Sequence, residues 1–204
     1  MKKNLLTLML TVFLLTTFCA VVSAANQPAS GLEQQSIEDS SKILSTNPND
    51  YVALCRRGIA YMSQKNNNLA IQDFTKALAL HPQYAFCFLN RGLCYDQMGK
   101  EDWAIADVTK AIEIDPTFTM AYSLRAAFYI KEANYQQAIP DCIKMTELSP
   151  QNTKAYFLLA GCYEKTHMYQ EATDTYRKII DLFPKDTASI NTAKNCIRAL
   201  GDTI

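Results

Sequence analysis

The chain has little of what chemistry usually requires. Only two histidines occur among its 204 residues. His81 precedes a proline and His167 falls in a turn, so each is expected to face solvent and neither has a catalytic neighbour in sequence. No phosphate-cradling glycine loop, nucleophile elbow or acidic cluster with metal spacing is present. An enzyme is therefore not expected, nor is a cofactor or a bound metal. Charge of one sign is also missing, since 20 Lys and Arg balance 20 Asp and Glu. That balance gives no support to nucleic-acid binding through a basic surface. The absence of any Cys-x-x-Cys pair removes thioredoxin-like chemistry and the commonest zinc ligand spacing. Beyond the first two dozen residues no apolar run reaches the ~18 residues at which a membrane span becomes possible. Long loops and low-complexity tracts are lacking from residue 33 onward. With 49% apolar and 20% charged residues, the chain is expected to fold as one globular domain or one elongated array.

The amino terminus is the exception. Lys2 and Lys3 are followed by an apolar run from Leu5 to Val22 and then by Val22-Ser23-Ala24. This charged, apolar, small-residue order predicts a secretory signal peptide over residues 1–24, cleaved after Ala24, with an uncleaved membrane anchor as the alternative. Phe18 before Cys19 is too bulky for a lipoprotein cleavage site. The protein is thus expected to be exported: secreted, periplasmic or associated with the cell envelope. Residues 25–32, ANQPASGL, read as a flexible lead-in.

What the chain does have is metre. Pro48, Pro82, Pro116, Pro150 and Pro184 recur every 34 residues. Cutting at that period from Tyr51 gives four repeats, 51–84, 85–118, 119–152 and 153–186, and their columns agree. The eighth place is Gly58, Gly92, Ala126 and Ala160; the eleventh Tyr61, Tyr95, Tyr129 and Tyr163; the twentieth Ala70, Ala104, Ala138 and Ala172; the thirty-second Pro82, Pro116, Pro150 and Pro184. Within each unit, apolar residues recur three or four apart, interrupted once by a turn such as KNNN, GKED or EAN. Two antiparallel helices result. Small residues at the eighth and twentieth places let their backbones approach, the tyrosine fills the space beside them, and the proline stops the second helix. One such hairpin cannot cover its own apolar face, so stacking must do it.

These columns resemble the tetratricopeptide repeat (TPR) family, with its 34-residue helix-turn-helix period. The resemblance implies an all-α, right-handed superhelical solenoid of stacked antiparallel helix pairs. Capping helices are expected at 33–48, with Ile43 on the buried side, and at 187–204, with Ile190, Ala193, Ile197 and Leu200 buried and Lys194 and Arg198 outward. The total is about ten helices. Pro140 is expected to bend its helix. The later repeats carry more volume in their second helices and should pack differently from the first two.

Two further patterns concern side-chain pairing. Arg57, Arg91 and Arg125 share the seventh place and Asp73, Asp107 and Asp141 the twenty-third, yet the fourth repeat replaces both together with Leu159 and Thr175. This covariation within one chain predicts an Arg–Asp pair between first and second helices, against the alternative of separate solvated charges. Six cysteines follow the leader: Cys55, Cys87, Cys94, Cys142, Cys162 and Cys196. Cys94, Cys162 and Cys196 share the tenth place, and equivalent places in stacked units lie ~8–10 Å apart, beyond the ~4.4–6.8 Å a disulfide spans. The cysteines are read as small buried residues, with at least one disulfide as the alternative.

Function follows from the resemblance alone. In this family the first helices line a concave face to which places two, five, nine, twelve and thirteen contribute. Carried over, these give Val52, Cys55, Ile59, Met62, Phe86, Leu89, Leu93, Asp96, Met120, Ser123, Ile130, Lys154, Phe157 and Glu164 as partner-binding candidates. The implied wall is mainly apolar, turns charged toward its far end, and suits a peptide segment or helix of another protein. Chaperone-binding relatives hold a terminal carboxylate with Lys at the fifth place and Asn at the ninth; Cys55 and Ile59 stand there, so that clamp is missing. The implied role is a scaffold for protein–protein interaction. The alternative is a self-associating structural subunit of an envelope or surface assembly, in which a homo-oligomer covers the groove.

Overall fold

The computed structural model of the protein describes residues 31–202, so the expected leader over 1–24 and the lead-in up to residue 30 lie outside the described residues. Among these residues there are ten α-helices and no strands. They are α1 (Gly31–Thr46), α2 (Tyr51–Ser63), α3 (Asn67–Leu80), α4 (Ala85–Gln97), α5 (Glu101–Ile114), α6 (Thr119–Lys131), α7 (Tyr135–Leu148), α8 (Thr153–Lys165), α9 (Tyr169–Leu182) and α10 (Thr187–Ala199). The helices fall into two compact units, whose described parts are residues 31–116 and 117–202.

The first unit stacks α1 to α5 in chain order, each helix packed on the next, with α2 also touching α4. Its core joins Leu44, Leu54, Cys55, Phe74, Leu78 and Cys87 with the small residues Ala53, Ala70 and Ala77. Gly58 is required by the close crossing of α2 over α3, because a Cβ there would sit 2.7 Å from Cε1 of Phe74. Since Phe74 is fully buried, its ring has no room to yield. In the second unit α6 packs on α7, α7 on α8, α8 on α9 and α9 on α10. Tyr156, Tyr176, Ile179, Cys196 and Ile197 form the core of its last three helices.

Each repeat makes its internal turn the same way. The residue at the fifteenth place (Lys65, Gly99, Ala133, His167) has a left-handed backbone, with φ of 60°, 68°, 58° and 61°. The next amide donates back to the carbonyl of the eleventh-place tyrosine: Asn66 to Tyr61, Lys100 to Tyr95, Asn134 to Tyr129 and Met168 to Tyr163, at 2.8, 2.9, 2.7 and 2.9 Å. This six-to-one bond satisfies a carbonyl that the helix end would otherwise orphan. The second helices end two residues before their prolines, at Leu80, Ile114, Leu148 and Leu182.

Three expectations need correction. The first capping helix begins at Gly31, inside the supposed lead-in, and ends at Thr46. Its buried side is Ile37, Ser40 and Leu44, whereas Ile43 is 40% exposed. A terminal helix has no earlier hairpin to fill, so a single i, i+3, i+7 strip suffices and the twenty-seventh column turns outward. His81 does not face solvent: its ring stacks on Tyr51 at 4.5 Å and meets Tyr84 edge-on. The carboxy-terminal cap buries Ala193, Cys196 and Ile197 and half-buries Ile190 and Leu200, close to expectation. Pro140 lies exposed within α7, which continues unbroken to Leu148.

Candidate binding surface

The first helices of the repeats, α2, α4, α6 and α8, carry the candidate contact residues, and the structure sorts these by accessibility. On α2, Val52, Ile59 and Met62 are half-buried. On α4, Phe86 is 39% exposed, with Leu93 and Asp96 half-buried. On α6, Met120 is 59% exposed and Ser123 and Ile130 are half-buried. On α8, Lys154 is exposed and Phe157 and Glu164 are half-buried. Two candidates are excluded. Cys55 and Leu89, both at the fifth place, are 2% and 1% exposed. In the first repeat the reason is visible, since Cys55 lies in the same core cluster as Phe74 of α3 and Cys87 of α4. In the first two repeats the fifth place belongs to the packing between hairpins, whereas Ser123 and Phe157 at that place in the third and fourth stay half-buried.

Behind these residues the predicted ion pairs fix the helices. Arg57 holds Asp73 through Nε–Oδ2 at 2.7 Å and Nη2–Oδ1 at 2.8 Å. Arg91 grips Asp107 at the same two distances, and Arg125 grips Asp141 at 2.8 and 2.7 Å. Each is a bidentate fork from a first helix to its second helix. Arg57 also reaches back to the Ser41 hydroxyl and Arg91 to that of Thr75, so one side chain ties three helices. The Asp73 hydrogen bond pushes the Arg57 guanidinium above its ordinary range, and Asp141 does the same for Arg125. Arg57 and Arg91 also lie 5.9 Å above the rings of Tyr61 and Tyr95, which gives the tyrosine column an electrostatic role as well as a packing one.

The fourth repeat solves the same problem without charge. Leu159 and Thr175 are both buried, and the Thr175 hydroxyl donates to the Glu171 carbonyl at 2.7 Å. Tyr176, fully buried, donates its hydroxyl to Glu164 at 2.6 Å. Burial, with Cys196 and Glu164 nearby, pushes the Tyr176 hydroxyl far above its usual range. Glu164 is thereby held by the core and has less freedom to meet a partner than its position suggested. A feature the sequence reading passed over is Trp103 on α5, 60% exposed. Its ring meets Tyr95 edge-on at 5.2 Å under Lys100, at an open depression of about 460 Å³ shared with Thr75, Arg91 and Asp102. No signal beyond its being the single tryptophan marked it.

Family models for the tetratricopeptide repeat match residues 51–84 and 85–118, and a second such model matches residues 129–195. The chain belongs to the tetratricopeptide repeat family. The first model's boundaries are those of the first two repeats cut by the proline metre. No curated protein matches the sequence. Among solved structures, that of MamA protein has a TM-score of 0.68 at 23% identity, covering 78% of this chain and 86% of MamA. YrrB, a TPR protein with an unusual peptide-binding site, has 0.63 at 18%, covering 87% and 89%. The first TPR of Spaghetti (RPAP3), bound to the HSP90 peptide SRMEEVD, has 0.53 at 26%, covering 57% and 95%. These likenesses agree on the TPR fold. No helix among the described residues of this TPR chain is long and apolar enough to cross a membrane.

Proposed function

We propose that the protein is an exported TPR scaffold whose first helices bind a peptide segment or amphipathic helix with one apolar side. The observation that carries this reading is the apolar side chains left partly open on the first helices of each unit: Val52, Ile59, Met62, Phe86 and Leu93 on α2 and α4 in the first, and Met120 on α6 in the second. Large apolar groups on a chain with 49% apolar residues are usually sealed by stacking, and exposure at equivalent places of successive repeats marks a surface kept for a ligand. Asp96 on α4 and Lys154 on α8 add charge to the first helices of the two units. Peptide binding by YrrB and by the RPAP3 module supports the class of ligand, not its identity. The Lys and Asn clamp that would hold a terminal carboxylate is absent, so an internal segment is the fitting ligand.

The test is recovery of partners from the producing cells with the wild-type chain and with Phe86→Asp plus Phe157→Asp. Loss of a specific protein from the variant, with circular dichroism unchanged, supports the reading. Identical recoveries by the two chains overturn it. Light scattering on the same preparations separates self-association, which would appear as a mass rising with concentration.

A further inference from the structure

Trp103 stands where the fold asks for no such residue. Its place, the nineteenth, is Leu69, Gln137 and Glu171 in the other three repeats, so stacking the hairpins does not require a ring there. Yet this one tryptophan of the chain is largely exposed and set on an ordered base. Its ring meets that of the buried Tyr95 at 5.2 Å and 67°, and Tyr95 in turn lies under Arg91, which the bidentate grip on Asp107 fixes. The platform is preformed. Beside it the surface is hollow, in the depression of about 460 Å³ lined by Thr75 of α3, Arg91 and Tyr95 of α4, and Asp102, Trp103 and Ala106 of α5, all within the first unit. Ala106 leaves room that the larger side chains at this twenty-second place in the other repeats, Gln72, Pro140 and Asp174, would fill. Polar groups around the ring have capacity to spare. The Thr75 hydroxyl accepts from Arg91 Nη1 at 3.1 Å and keeps its own proton to donate. The exposed Asp102 carboxylate and the Trp103 indole N–H have no hydrogen-bond partner among the described residues.

We infer that this depression is a saccharide-binding site in which Trp103 is the platform for a sugar ring. A pyranose is uncharged and carries one face of C–H groups inside a rim of hydroxyls, each able to donate and to accept. Trp103 offers the apolar face, Asp102 accepts, and the Thr75 hydroxyl and the indole N–H donate. A few placed polar groups about one apolar contact are what a small-ligand site needs. Other ligands fit worse. A quaternary ammonium group is held by open rings on several sides, whereas Tyr95 is buried and Lys100 Nζ already lies 5.8 Å above the Trp103 ring. A stacked nucleotide would bring its phosphate against the Asp102 carboxylate with no basic groove to follow. The site belongs to α5, a second helix, and does not depend on the surface formed by the first helices.

Because the chain has a single tryptophan, its emission comes from this site alone. Tryptophan fluorescence of the full chain is followed while the methyl glycosides of glucose, galactose, mannose and N-acetylglucosamine, and a linear trisaccharide of each, are titrated in. The expected result is a saturable shift of the emission to shorter wavelength with at least one of them, at a Kd on the order of 1 mM. A response to a trisaccharide but not to its methyl glycoside supports a glycan chain as the ligand, and a response to both supports a single sugar. Ala106→Gln copies the first repeat's residue into the hollow and keeps the reporter; it should weaken that Kd by about tenfold or more with circular dichroism unchanged. Asp102→Ala, at an exposed place, should weaken it severalfold and decides the matter if the glutamine disturbs the fold. No saturable response to any of these sugars, an unchanged Kd in both variants, or a response to choline and to no sugar would overturn the inference.

Discussion

Asp141 offers a direct measure of what the repeat interior demands. Its side chain is 3% exposed and that of Arg125, its bidentate partner, 18%. A fully exposed pair contributes about 0–1 kcal/mol, whereas removing one member of a buried pair costs about 3–5 kcal/mol because the other is stranded. Arg125 retains a fringe of solvent, so Asp141→Thr should cost about 2–3 kcal/mol, at the lower edge of the buried range. The fourth repeat shows how the loss is repaired. There Leu159 and Thr175 occupy the two places, the threonine bonded to the carbonyl four residues back. Transplanting that solution as Arg125→Leu with Asp141→Thr removes the stranded charge, and the double variant should lie within about 1 kcal/mol of wild type. The second substitution should thus recover roughly 2 kcal/mol of what the single variant loses. Urea unfolding followed by circular dichroism measures all three chains. A single variant within about 0.5 kcal/mol of wild type, or a double variant less stable than the single, would refute the reasoning.

Two other outcomes follow from backbone and burial. Ala133 has φ of 58° where the second repeat has Gly99 at 68°; relieving the left-handed penalty of about 1–2 kcal/mol outweighs glycine's entropy cost, so Ala133→Gly should stabilise by about 0.5–1 kcal/mol in thermal unfolding. Burial pushes the Cys94 thiol up to about 12 from an ordinary 9.0. The unfolded chain then ionises first, so the contribution of this site is intact below pH about 9 and is lost progressively toward pH about 12. In reductant, Cys94→Ala should flatten the alkaline decline in unfolding midpoint, and an unchanged slope would count against it.

Much of this architecture was legible because a repeated chain shows each position four times. The Arg and Asp columns vanish together in the fourth repeat, and that joint loss exposed a contact that no single copy could show. Other features were hidden for physical reasons. The left-handed turn residue is Lys65, Gly99, Ala133 or His167, and only one of these advertises its backbone. The fifth place looked available because the family pattern assigns it to the concave face, yet Cys55 and Leu89 are consumed in packing. Ile43 and Leu44 differ by one register step, which an amphipathic strip at a chain end does not specify. The candidate surface was legible as a set of helices rather than as a set of contacts.

The binding reading is tested most directly by photo-crosslinking in the producing cells, with benzoylphenylalanine placed singly at Phe86, Met120 or Trp103. The first two sit on first helices and the third on a second helix, and all are exposed by 39–60%, so accessibility does not decide the result. Adducts to one partner at positions 86 and 120, absent at 103, are the predicted outcome. Adducts at 103 alone, or at none of the three, would contradict the account.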